Sequence, residues 1–429
     1  TRQNLLGSIV ISGTNVGIGA TPSAKLDVNG DAEINGLTVG RGAGDISSNT
    51  AVGVNTLSSN TTGASNNASG YRALYSNTTG SNNTASGTQA LYSNTTGSNN
   101  TASGTQALFS NTTGIQSSAT GYQALYSNTT GNNNTATGFR ALNSNTTGSE
   151  NSATGFQALY SNTTGGSNTA TGLNALYSNT TGASNTATGF KALYSNTTGI
   201  QSSAIGLQAL YSNTTGNNNT ATGFQALFSN TTGTSNTATG FQALYSNTTG
   251  GNNAANGYQA LYNNTTGTGN TATGLQAGDV ITTGSRNVIV GSTCDPSAAD
   301  GNDQIVVGNA LTGKGDDTAF VGGTNGAYNE KNVTTWETTS DERIKKNITD
   351  NKTGLDVLSQ IQVRNFEYRT PNHGPAKSCG HRKGWRAAWR DRSGNPKGSA
   401  RVCQRKLNGR LVCEHRSTLV VSHQCGQRT

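Results

Sequence analysis

The stretch Asn168-Thr169-Ala170-Thr171-Gly172-Leu173-Asn174-Ala175-Leu176-Tyr177-Ser178-Asn179-Thr180-Thr181-Gly182-Ala183-Ser184 decides how this chain folds, because it is one copy of a segment that recurs without a slip. Asn-Thr-Thr-Gly occurs 13 times, its glycine falling at Gly63, Gly80, Gly97 and onward to Gly267, always 17 residues apart. A second glycine keeps the same period from Gly53 to Gly274. An unbroken period over roughly 220 residues marks an array of near-identical coils, each stacked on its neighbours.

Part of one coil is readable from its residues. Thr169-Ala170-Thr171-Gly172 alternates polar and small, which predicts a short strand with Ala170 and Gly172 on the inner face. Only small residues recur at these two places, so backbones are expected to approach closely there. Leu176 and its equivalents, Leu57 through Leu261, are the expected apolar anchors. Tyr177 and its equivalents are expected to stack from coil to coil. Asn179-Thr180-Thr181-Gly182 reads as a turn, with Asn and Thr capping and Gly182 free to take positive φ. Leu173 to Ser178 fits either a second strand or one helical turn.

Dimensions favour coiling. Thirteen intervals at roughly 4.8 Å per rung give a rod of about 60 Å. The same residues drawn out at roughly 3.3 Å each would span about 730 Å, with no means of burying leucine or pairing the backbone. The expected fold class is therefore an all-β repeat protein, a 17-residue-repeat β-solenoid or β-roll rod. Its interior looks thin, about one Leu and two small residues per coil, which suggests several chains sharing a core.

Composition agrees. Of 429 residues, 31% are hydrophobic, 11% are charged, 57 are Gly and none is Met. That excludes a conventional enzyme domain with a large aliphatic core, and no apolar run approaches the roughly 18 residues of a membrane span. The chain starts at Thr1 without an initiator or signal peptide, which reads as a processed or truncated product. Charge is uneven. Residues 371–429 hold 13 of the 28 Lys and Arg against Asp391 and Glu414, a net +11, leaving the first 370 residues at −3. All four His and four of the five Cys also lie in that tail. The resulting divisions are 1–46, a β-rich opening segment; 47–275, the repeat array; 276–338, a β-rich neck; 339–370, the start of a further domain; and 371–429, the basic tail.

The flanks carry a family resemblance. Residues 15–36 (Asn-Val-Gly-Ile-Gly-Ala-Thr-Pro-Ser-Ala-Lys-Leu-Asp-Val-Asn-Gly-Asp-Ala-Glu-Ile-Asn-Gly) look like the opening segment common in phage tail fibres. Residues 339–349 (Thr-Ser-Asp-Glu-Arg-Ile-Lys-Lys-Asn-Ile-Thr) resemble the start of the intramolecular chaperone auto-processing domain, the peptidase S74 family of tail fibres and tailspikes. The resemblance implies a trimer whose C-terminal α+β domain assists assembly and then cuts itself off. It implies a Ser–Lys dyad, here Ser340 and Lys345, acting at the Thr339–Ser340 bond. The chemistry is sound, since a serine hydroxyl needs a base, and a lysine serves once burial or like charge lowers its pKa. Arg343 and Lys346 are the nearby like charges. Read without the family, Ser-Asp-Glu is also an ordinary helix N-cap. Leu355, Leu358 and Ile361 at helical spacing, then a strand from Val363 to Tyr368, fit the family's layout.

The tail departs from it. After Phe366-Glu367-Tyr368 the family continues with a helix around Gly-Val-Ile-Ala-Gln-Glu, and this chain does not. Codons compatible with Arg390 to Cys403, read one base over, restore such text, so a one-base shift near Pro371 is the expected origin of the tail. The chaperone domain would then be truncated and the dyad inactive. Cys403, Cys413, His415, His423 and Cys425 lack a zinc-finger spacing, and Trp385 and Trp389 among basic residues make a weak case for nucleic acid. No metal, cofactor, nucleic-acid or membrane partner is expected. The expected partners are two further copies of the chain and a host surface glycan or protein receptor, and the expected location is the virion.

Other readings of the repeat are a bacterial trimeric surface adhesin and an ice-binding solenoid. Thr169/Thr171, Thr186/Thr188, Thr220/Thr222 and their equivalents would form two Thr columns of the ice-binding kind, interrupted at Ile205 and Asn256. The Asn-Thr-Thr triplets are formally glycosylation sequons. No glycosidase carboxylate pair is visible in the repeat, where Glu150 is a lone acid.

Overall fold

A Thr-Ala-Thr triplet turns alternate side chains to opposite faces, and stacking places each triplet against its own kind. In the computed structural model Thr169–Thr171 pairs in parallel with Ser152–Thr154 on one side and Thr186–Thr188 on the other, with Ala170 opposite Ala153 and Ala187. Sixteen such strands at the 17-residue interval, from Thr50–Gly53 to Ile305–Gly308, form one parallel ladder, which Ala319–Gly322 extends. The protein is a β-solenoid of about sixteen turns, with no helix among the described residues. Those residues are 30–323 and Gly326, together with the strands Ile9–Ser12, Asn15–Ile18, Leu26–Val28, Ala327–Asn329, Glu337–Thr338, Arg386–Ala387, Ala400–Arg405, Leu411–Arg416 and Val421–Ser422. The ladder crosses residue 275 without a change of architecture.

The segment Leu173 to Ser178 is neither strand nor helix. It is a run of turns in which Asn174 (φ 56°) and Leu176 (φ 52°) adopt the left-handed conformation, and Ser184 (φ 58°) does so at the other bend. The backbone is satisfied between coils instead. The N–H of Asn174 donates to the Phe156 carbonyl at 2.9 Å, and that of Leu176 to Ala192 at 3.0 Å. A left-handed leucine costs roughly 1–2 kcal/mol. Burying the same side chain returns about 1.5–3 kcal/mol, so the packing wins.

Gly172 differs from the sequence expectation. It does not share the inner face with Ala170, since it is half-buried while Ala170, Ala175 and Leu176 are fully enclosed. At φ +131° it bends the chain out of the strand before its own inward position is reached. The expected close approach does occur there, because a Cβ on Gly172 would lie 2.6 Å from the carbonyl oxygen of Gly189.

Asparagine also does more than cap turns. Asn168 and Asn179 are both fully buried. The Asn179 side-chain amide donates to Asn162 Oδ1 at 2.8 Å and to the Gly182 carbonyl at 2.9 Å, while Asn179 Oδ1 accepts from Asn196 at 2.8 Å. This chain of side-chain bonds runs unbroken from Asn60 to Asn264. In the second column Asn168 Oδ1 accepts the backbone N–H of Asn185 at 3.0 Å, and its amide reaches Gly182 at 2.9 Å. Both columns meet the demand that buried amides be paired. A single chain thus fills its own coil with Leu, Ala and paired amides, so the thin interior does not by itself call for partner chains.

Antiparallel strands cover both ends of the ladder. Leu37–Gly40 pairs with Thr50–Gly53 and with Ala32–Ile34 at one end. Ala327–Asn329 pairs with Ala319–Gly322 and with Glu337–Thr338 at the other. Covering an exposed ladder edge limits end-to-end association. Residues Asn347–Thr429 form a separate unit, in which Ala400–Arg405 pairs antiparallel with Leu411–Arg416 and Arg386–Ala387 with Val421–Ser422.

Candidate binding surface

Two outward faces come from the coil geometry. On the strand face, positions such as Thr169 and Thr171 point outward in register through the ladder. The columns are broken by Ile205 and Asn256, and they turn apolar at Val288, Val290 and Ile305.

The turn face carries most of the exposed apolar surface. The residue after each second glycine points outward: Tyr122, Phe139, Phe156, Leu173, Phe190 and their equivalents. Phe156 is 45% exposed and Tyr258 47%, close to the value for the whole column. About eleven such side chains at roughly 80 Å² each expose on the order of 800 Å², beyond the few hundred Å² usual for a monomer's largest apolar patch. Sequence reasoning missed this column. Its signal was the recurrent aromatic or leucine after Gly70, Gly121, Gly138 and Gly155, which the period logic set aside as neither anchor nor turn.

Beside it runs a column of amides and cations. Gln106 donates to Gln89, Gln123 to Gln106, and Gln242 to Gln225 at 2.8–3.1 Å. Where a cation replaces glutamine, it sits over neighbouring rings: Arg72 and Lys191 over those of their own rung, Arg140 over Phe139 at 5.3 Å and Tyr122 of the preceding rung at 5.9 Å. Arg72 lies 5.1 Å from Tyr71 and 5.5 Å from Tyr75, and Lys191 lies 5.3 Å from both Phe190 and Tyr194.

The third column is the expected tyrosine stack. Tyr160, Tyr177, Tyr194, Tyr211, Phe228, Tyr245 and Tyr262 follow one another at 5.1–5.2 Å with rings within 9° of parallel. Tyr75, Tyr92, Phe109 and Tyr126 form an earlier stack at 5.0–5.2 Å. Asn143 alone separates the two. Burial, then the flanking phenols of Tyr160 and Tyr194, hold the Tyr177 hydroxyl above its ordinary pKa.

Near the end of the array two carboxyl groups meet. Asp279 takes the place of a stacked tyrosine and Asp295 that of an anchor leucine, and the two side chains are in hydrogen-bonding contact. Burial, and next the Asp279 charge, push Asp295 up to about 6, while a bond from the Val280 backbone works against them. Burial also raises Asp279. The pair lies 16 residues apart, one short of the period, so a search by repeat position does not bring it together.

Ser340 and Lys345, the dyad implied by the family resemblance, lie outside the described residues, as do Thr339, Leu355, Leu358, Ile361 and the strand expected from Val363 to Tyr368. No family model, curated protein or solved structure matches this chain. Among the described residues no group of three His, Cys, Asp or Glu is placed to hold a metal ion, and no helix is long and apolar enough to cross a membrane.

Proposed function

We propose that this chain is a structural shaft of the phage tail fibre or tailspike kind, displaying a host-receptor-binding surface along its turn face. The observation that carries the reading is the ladder itself: sixteen in-register rungs with an outward column that is aromatic or leucine at every coil from Tyr122 to Leu275. A stack of this kind holds its surface groups at fixed spacing without a large core. Broad exposed apolar surface on a water-exposed rod marks a place where another molecule docks. The resemblances at residues 15–36 and 339–349 support the tail-fibre assignment, the assembly of three copies and placement in the virion. On this reading the one chemical act is the cut at Thr339–Ser340 by Ser340 and Lys345, with the domain after residue 370 truncated.

Antibodies raised against the repeat, applied to virions and to the bacterium, test the proposal. Labelling of virion tails, with a solution mass of three chains, is the expected result. Labelling of the bacterial surface alone would instead identify a trimeric adhesin, the reading that a C-terminal set of membrane-anchor strands would favour.

A second reading has one observation in its favour. Outward Thr pairs such as Thr169/Thr171 and Thr186/Thr188 stack in register, the spacing of an ice-binding array. The breaks at Ile205 and Asn256 count against it, and absence of thermal hysteresis in the purified protein removes it.

A further inference from the structure

We infer that the Asn35-Gly36 turn is a site of spontaneous deamidation, and that its conversion releases the outer strand of the hairpin covering the start of the ladder. The inference goes beyond the display reading and does not depend on it. Two Asn-Gly pairs lie wholly among the described residues, Asn35-Gly36 and Asn256-Gly257. Both asparagines are exposed. By sequence the two pairs are equivalent; the structure separates them.

The reaction is internal to the chain. The glycine backbone nitrogen gives its proton to hydroxide and attacks the asparagine Cγ. The Cγ–Nδ2 bond then breaks, and the amide nitrogen takes a proton from water and leaves as ammonia. Water opens the resulting cyclic imide at either carbonyl. One opening gives aspartate; the other gives isoaspartate, whose main chain runs through Cγ. No oxidant or cofactor takes part. The step needs a glycine N–H that no acceptor holds and a backbone able to rotate until the nitrogen reaches Cγ.

Asn35-Gly36 meets both needs. It is the two-residue loop between Ala32–Ile34 and Leu37–Gly40, with Ile34 opposite Leu37. Asn35 at φ 52° and Gly36 at φ 82° are the left-handed pair such a loop takes. Among the described residues the Gly36 N–H has no hydrogen-bond acceptor. A Cβ added at Gly36 would meet nothing within 4 Å, so the turn has room to rotate.

Asn256-Gly257 meets neither. Asn256 ends the strand Ala254–Asn256, which is paired on both sides. The Gly257 N–H donates to the Thr239 carbonyl at 2.8 Å, and the Asn256 carbonyl accepts from Gly274 at 2.8 Å. A Cβ on Gly257 would fall against the Gly274 carbonyl. The coils on either side therefore hold the nitrogen's proton and fix the backbone around it.

Conversion matters because of where the turn sits. Ala32–Ile34 pairs with Leu37–Gly40, which in turn lies on Thr50–Gly53. The length of the loop fixes the register of the hairpin. Isoaspartate adds a backbone atom to that loop, and either product adds a negative charge to a hairpin that already carries Glu33. Ala32–Ile34 is then released, and Leu37–Gly40 becomes a bare strand edge.

Storage of the full chain in warm, mildly alkaline buffer, followed by peptide mass mapping, tests the inference. Asn35 is expected to convert at least tenfold faster than Asn256. Hydrogen exchange over residues 32–40 is expected to rise in step with that conversion, while exchange over 254–257 stays constant. In guanidinium chloride the two pairs are expected to convert at equal rates. Asn35→Gly leaves a Gly-Gly loop of the same turn type, and its exchange over 32–40 is expected to stay constant on storage. Folded-state conversion of Asn35 no faster than that of Asn256 overturns the site. An Asn256 that stays slow in guanidinium chloride overturns the protection by the ladder. Conversion without a rise in exchange, or the same rise in Asn35→Gly, overturns the release of the strand.

Discussion

The middle coils and the last coils of the same ladder are built on different physics. In the middle, Leu and Ala share the interior with two columns of amides; in one, each Asn side chain is paired with its copy above and below, and in the other, interrupted by Ser117 and Ser202, each amide bonds a glycine carbonyl and most Oδ1 atoms accept a backbone N–H of the next coil. Toward the end, Ile281 stands where the Asn60–Asn264 column would continue, Ile289, Val306 and Phe320 replace inward alanines, and outward threonines give way to Val288 and Val290. A hydrogen-bonded column is strong only while each member finds an identical neighbour, because a buried amide left single costs about 1–3 kcal/mol. The column is accordingly finished at both ends: Asn60 donates to the Ala43 carbonyl at 3.3 Å, and Asn264 Oδ1 accepts from Asn270 at 3.4 Å. Beyond that point bulk replaces amides, since apolar packing needs no partner of the same kind.

The largest effect that would sharpen the contrast is loss of an anchor. Leu176→Ala should destabilise the array by about 2–5 kcal/mol, read by denaturant unfolding. Hydrogen exchange should show the loss centred on its own and adjacent coils, since each coil contacts only its neighbours.

Asn179→Ala comes next. It removes the donor to Asn162 Oδ1 and to the Gly182 carbonyl and the acceptor for Asn196. A cost of roughly 2–4 kcal/mol is expected from the groups left unpaired. An effect below 1 kcal/mol, measured the same way, would mean that the amide columns do not hold the middle coils together.

Gly172→Ala tests the close approach. It sets a methyl against the Gly189 carbonyl at a positive φ, and a loss of about 1–3 kcal/mol is expected. A neutral result would show the coils free to slide apart there.

The smallest effect belongs to the end coils. Asp295 binds its proton more tightly folded than unfolded, so its contribution is complete below the ordinary carboxylate range near pH 4 and is lost as pH rises through about 6. Melting temperature should therefore fall modestly across that interval. Asp295→Asn should flatten the slope, with little change in the middle coils. A slope that survives the substitution would place the titration elsewhere.

Much of this was legible in one coil. The strand at Thr169–Thr171, the Leu176 anchor, the self-stacking of Tyr177 and the close backbone at Gly172 follow from residue type and period. Other features were hidden because they belong to pairs of coils. Nothing in Asn179 alone tells a capping amide from a buried one; the difference is whether Asn162 and Asn196 lie above and below it. Leu176 at positive φ breaks local preference, and only the packing it gains explains it. Asp279 and Asp295 come together across coils at a spacing the period does not contain.

The sequence by itself determined the length of a coil and the residues that recur in it, because a strict 17-residue period leaves a chain little else to do than stack on itself; that the ladder runs on past residue 275 to sixteen rungs was decided by the structure. Which asparagines face inward, and which side chains stand out as rings or amides, was decided only by the tertiary structure. The path of each coil is set by left-handed residues and by hydrogen bonds to the coils on either side, and neither is a property of any residue taken alone.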